Sequence, residues 1–85
     1  MSASTWAAIV KAWSLPPRQA QVVELILQDQ CDEMIAQKMG IGVPTVRTYL
    51  NRVFQKFRIQ RRLSLALIIF ADAQRIVGEK PIAHS

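Results

Sequence analysis

Three residues lying within one and a half turns of a would-be helix, Arg47, Thr48 and Asn51, have side chains suited to reading the edges of base pairs. A guanidinium forks onto guanine O6 and N7, an asparagine amide pairs with adenine N6 and N7, and threonine offers a hydroxyl or a methyl to thymine. Around them Thr45, Tyr49, Arg52, Gln55 and Lys56 supply donors of the kind that phosphate oxygens accept; such contacts set register without carrying sequence information. Tyr49 has a second reading as a half-buried packing residue, because its ring falls on the border between the two faces. The neighbourhood is basic: Lys38, Arg47, Arg52, Lys56, Arg58, Arg61 and Arg62 fall in one stretch, and no Asp or Glu occurs from Met34 through Ala71. A face that merely solvates a helix normally mixes signs, since opposite charges one turn apart support a helix and like charges strain it. A one-signed stretch of this length, in a chain of 85 residues with net charge +5, points to a polyanionic partner.

Other chemistry is scarce. One cysteine, one histidine and three glycines make no disulfide framework, no Cys/His metal quartet and no Gly-rich phosphate loop. No metal and no cofactor is expected. His84 stands second from the end, and no acid pairs with a nucleophile in a recognisable arrangement, so the chain does not read as an enzyme. Cys31 reads as a small, partly buried residue rather than a reactive thiol. The first residues, Met1 to Thr5, lack a positive n-region, and Lys11 interrupts the apolar stretch from Trp6 to Trp13, unlike a cleaved secretory signal. The most apolar run, Leu63 to Ala71, is far short of the roughly 20 residues a membrane-spanning helix needs. A cytoplasmic protein without membrane contact is the expectation.

The elements that must position the basic face are all helical. Apolar residues make up 51% of the chain and charged residues 20%, enough for one packed core and too little polar excess for disorder. Trp6, Ile9, Val10 and Trp13 repeat with helical spacing after possible caps at Ser2 and Ser4, and Pro16-Pro17 ends that helix. Pro17 suits the first position of a second helix, with Val22, Val23, Leu25, Ile26 and Leu27 inward up to about Asp29. Asp32 can cap a third, with Met34, Ile35 and Met39 inward and Gly40 as its stop. After a short turn carrying glycine, a helix over about 43–58 sets Val46, Leu50, Val53, Phe54 and Phe57 on one face. Arg47, Thr48, Asn51, Arg52, Gln55 and Arg58 fall on the other. A last helix runs from about Arg62 to Val77, before Gly78 and Pro81 release a polar tail. The expected fold is all-α, a helix-turn-helix tetrahelical domain with an extra N-terminal helix. Its parts are the N-terminal amphipathic helix at 1–14, the helix-turn-helix domain at 15–78 and the polar tail at 79–85. In that layout the second helix of the motif enters the major groove.

The chain resembles the LuxR/GerE-type helix-turn-helix domain of bacterial transcription regulators. The resemblance rests on Leu15-Pro16-Pro17-Arg18-Gln19, Ile35-Ala36 with Met39, Thr45-Val46-Arg47 with Tyr49, Lys56-Phe57 and Arg62, and covers about Leu15 to Ala71. It implies a four-helix domain on double-stranded DNA near the bacterial nucleoid, usually dimeric there, with its third helix in the major groove and its fourth supporting dimerisation. Position by position it implies base contacts at Arg47, Thr48 and Asn51 and phosphate contacts at Thr45, Arg52 and Lys56. The chain departs from the family's usual Thr or Ser at Pro16, Glu at Gln19 and Gln21, Gly at Asp29, Ser or Thr at Cys31, Asn-Lys at Asp32-Glu33, Ser at Gly42 and His at Tyr49. The changes at Cys31 and Gly42 remove hydroxyl caps, at about 1 kcal/mol or less each where a neighbour substitutes. Those at Asp32-Glu33 put acid where the family has a phosphate-facing lysine, which weakens backbone contact there.

The last helix is apolar around most of its circumference. Leu63, Ala66, Leu67, Phe70 and Val77 make one inward stripe, which leaves Leu65, Ile68, Ile69 and Ile76 for a second surface. Either the tryptophan-bearing N-terminal helix covers that surface or a second copy of the chain does; the homodimer is the favoured reading, through Leu65, Ile68, Ile69 and Ile76. The leading function is sequence-specific regulation of transcription. The alternative is an interaction protein that pairs with a full-length partner regulator through the last helix and titrates it. On the leading reading, Asn51→Ala relaxes preference at one base position by about 1–3 kcal/mol. Arg52→Ala weakens binding to every duplex alike and lowers the salt slope by about one. Competition binding across a salt series distinguishes the two outcomes.

Overall fold

The computed structural model describes residues 2–78; the tail, with Pro81 and His84, lies outside the described residues. Among these described residues five helices follow one another: α1 (Ala3–Trp13), α2 (Pro17–Leu27), α3 (Asp32–Met39), α4 (Val43–Phe57) and α5 (Arg62–Gly78). No strand occurs among the described residues. Local chemistry sets most of the boundaries. Ser2 caps α1 by accepting from the Thr5 amide at 3.1 Å, while Ser4 lies inside the helix. Pro17 opens α2, where its missing N–H costs nothing. Gly40 closes α3 in the left-handed conformation at φ +67°, the conformation glycine adopts without steric penalty.

Asp32 is not the cap of α3. Cys31 occupies that position without a side-chain hydrogen bond, and Asp32 is the first helical residue, with Glu33 behind it. Two carboxylates in the first turn favour the positive end of the helix dipole, worth typically 0.3–1 kcal/mol each, and partly offset the absent cap. Gly42, in front of α4, likewise makes no side-chain cap. Standing on the turn into α3, Cys31 is exposed rather than partly buried. Met34, expected inward, is 41% exposed, because Ile35, Ala36 and Met39 fill the inward face of so short a helix.

The core has two lobes. Val22 and Ile26 of α2, Ile35, Ala36 and Met39 of α3, and Val46 and Leu50 of α4 form the first. Ile9 of α1, Leu15, Ala20 and Val23, Val53 of α4, and Leu65, Ile69 and Ala73 of α5 form the second. Phe54 touches both. Thus α1 is no appendage: it lies along α5 and contributes to the same lobe as the residues that follow it. Trp13 stacks obliquely on Phe57 with ring centroids 4.1 Å apart, and its indole N–H donates to Asp72 at 3.1 Å.

The faces of α5 are the reverse of the expectation. Leu65 and Ile69 are fully buried, Ile76 packs half-buried against the same lobe, and Ile68 is half-buried in a shallow groove beside Trp13 and Phe57. Leu63, Leu67, Phe70 and Val77 are instead exposed, by 50 to 67%. Leu65 and Ile69 are therefore closed to any partner. Two measurements by urea denaturation check this packing. Gly40→Ala is expected to lower stability by about 1 kcal/mol through backbone strain alone, since an added Cβ there meets no atom within 4 Å. Trp13→Ala is expected to cost about 2–3 kcal/mol, at or below the lower limit for a fully buried aromatic because the ring is only partly buried.

Candidate nucleic-acid interface

The geometry of α4 follows from its period. Val46, Leu50 and Val53 are buried, and the helix rotates by about 100° per residue, so Thr45, Arg47, Thr48, Asn51, Arg52 and Gln55 are left in solvent. Tyr49 is half-buried against the first lobe of the core, the packing alternative, with its ring at the edge of the exposed face. Gly42 and the turn at 40–42 set the start of α4 against α3, and the two helices pack on each other as the two arms of the motif.

Individual side chains are more constrained than their exposure suggests. The Thr48 hydroxyl donates to the Pro44 carbonyl at 3.0 Å, one turn back, which commits its single proton and leaves its lone pairs and methyl group for a ligand. Lys56 reaches away from the motif and donates to the Ser14 carbonyl at 3.1 Å, tying the end of α1 to α4; two of its three N–H groups stay available. Asn51 and Gln55 border a shallow groove completed by Phe54, Arg58, Ile59 and Gln60. Arg58 ends α4 in the left-handed conformation at φ +55° and presents a further exposed cation at that rim. Arg18, from α2, donates to the Met39 carbonyl at 3.3 Å and so braces the end of α3.

Arg47 has a partner that its sequence position does not reveal. Its Nε donates to Oδ2 of Asp32 at 3.4 Å, and a terminal nitrogen of Arg62 bonds the other oxygen, Oδ1. One carboxylate at the start of α3 thus joins a cation of α4 to a cation at the start of α5. The Asp32 side chain is only 14% exposed, whereas that of Arg47 is 64% exposed. The terminal fork of Arg47 meets no acceptor among the described residues. Sequence reasoning missed the trio because its members are fifteen residues apart on each side, a spacing that only the tertiary arrangement of three helices closes. The one available signal was the acid at position 32 in front of an otherwise acid-free stretch.

Among the described residues, no group of three His, Cys, Asp or Glu side chains is placed to hold a metal ion, and no helix is long and apolar enough to cross a membrane. The sequence matches the GerE family model, described as bacterial regulatory proteins of the luxR family, over residues 13–69. That span begins on Trp13, takes in α2, α3 and α4 whole, and ends inside α5. No curated protein and no solved structure matches the chain.

Proposed function

The chain belongs to the luxR family of bacterial regulatory proteins, whose helix-turn-helix domain binds DNA, and from that premise we propose that it binds double-stranded DNA sequence-specifically as a transcription regulator. The reading rests above all on α4: a helix anchored on one side by Val46, Leu50 and Val53 and bearing Arg47, Thr48 and Asn51 in solvent on the other. A helix so held fits the major groove, with Arg47, Thr48 and Asn51 at base edges and Thr45, Tyr49, Arg52, Gln55 and Lys56 at phosphates. A protein of this kind works in the cytoplasm, at the nucleoid.

On this reading it acts as a homodimer, and the exposed stripe Leu63, Leu67, Phe70 and Val77 on α5 is the surface that pairs, in place of the buried Leu65 and Ile69. Apolar exposure along one helix marks interaction surfaces, and two-fold pairing is the commonest way to cover it. The same stripe also supports the second reading, in which α5 docks on a partner regulator, and the acids Asp32 and Glu33 at the start of α3 favour it by repelling phosphate.

Selection of bound duplexes from a randomised pool at near-physiological salt, read by sequencing, tests the function. The expected outcome is an enriched inverted repeat with half-sites about 10 base pairs apart. Retention without enrichment reduces the activity to electrostatic binding, and no retention moves the assignment to the partner-docking protein. Sedimentation over a concentration series is expected to show a monomer–dimer equilibrium that Leu67→Glu abolishes without lowering thermal stability. A chain that stays monomeric throughout overturns the dimer.

A further inference from the structure

We propose that Asp32 is a specificity-determining positioning residue: its carboxylate, held in place by Arg62, fixes the guanidinium of Arg47 so that the terminal fork faces the duplex. The inference rests on the reading of α4 as a base-reading helix and deepens it. An arginine on an exposed helix face has four rotatable side-chain bonds, and a bidentate contact forms only when the guanidinium plane and direction both match the base. Fixing the group beforehand removes that ordering cost from binding.

The geometry supplies such a fixture. Asp32 engages Arg47 through Nε, the nitrogen nearest the chain, and leaves both terminal nitrogens without an acceptor among the described residues. Its other oxygen is occupied by Arg62, so the carboxylate cannot swing after Arg47 into solvent. Being only 14% exposed, against 64% for Arg47, Asp32 is the fixed partner and Arg47 the presented one. Position 32 is the first residue of α3, and α3 packs directly on α4, so the fixture is carried by the rigid motif and not by a loop. An acid near DNA costs general attraction for phosphate. The chain thus exchanges some non-specific affinity for a sharper choice at one base position.

The experiment compares the wild-type chain with Asp32→Asn and Asp32→Glu on duplexes that vary every position of the selected site, at several salt concentrations. Arg47→Ala identifies the position that Arg47 reads. Asp32→Asn is expected to narrow discrimination there by about tenfold, within the range a bidentate contact supplies, to leave the other positions unchanged, and to raise binding to unrelated duplexes. In an Arg47→Ala background the same change is expected to have no further effect on selectivity. Asp32→Glu keeps the charge and its attraction for Arg62 but displaces the carboxylate by a methylene. It is expected to narrow the same position at an unaltered salt slope, which keeps the inference open to refutation if Asp32→Asn fails to fold. A uniform gain in affinity from Asp32→Asn with every preference intact reduces Asp32 to a countercharge and overturns the inference alone. A wild-type chain without base preference overturns it together with the reading of α4.

Discussion

Everything in this fold depends on the one-sided burial of α4. Val46, Leu50 and Val53 are each at or near zero exposure, and they do not serve a single core: the first two close the lobe shared with α2 and α3, and the third enters the lobe shared with α1 and α5. Phe54 spans the two. The helix that presents the polar face is therefore also the beam that joins the two halves of the molecule. Its orientation cannot change unless both lobes repack, and close-packed interiors resist that. Contacts at the ends of the beam reinforce it, with Trp13 against Phe57 at one end and the Asp32 ion trio at the other.

Such rigidity comes with local compromises. Among the described residues three helices, α2, α3 and α4, start without a side-chain cap, and three non-glycine residues, Ser14, Asp29 and Arg58, sit at positive φ, a conformation that costs an L-residue about 1–2 kcal/mol. Ser14 and Arg58 are both helix ends. Arg58 forgoes the easier glycine and in return keeps a cation at the rim of the exposed face. The Ser14 carbonyl receives Lys56, so the strained end of α1 is held by the helix it supports.

The sequence made the helices, their turns and the outer face of α4 legible because each rests on local signals: helical spacing, proline at a first turn, glycine at a stop. It did not reveal which way α5 faces. Both stripes of that helix are apolar, so periodicity alone gives no preference; the choice falls to α1, whose Ile9 and Trp13 lie where Leu65, Ile69 and Ala73 can meet them. Met34 departs from its expected inward place for a related reason, since on a helix of eight residues not every apolar residue reaches the core. The Asp32 trio was illegible because it is assembled from three helices. On the exposed face of α4, then, the residues were legible singly, while the ion-pair partner of one of them was not.

One consequence of the division between the two faces of α4 concerns how such a protein changes over evolutionary time. Substitutions at exposed positions that make no packing contact usually alter stability by less than about 0.5 kcal/mol. Thr48, Asn51 and Gln55 belong to that class, so the outer face of α4 can change there with the fold intact. Position 47 is different: any residue that abandons Asp32 leaves a largely buried carboxylate to Arg62 alone. Change on this face should therefore come first at the uncoupled positions, and a change at 47 should arrive together with one at 32.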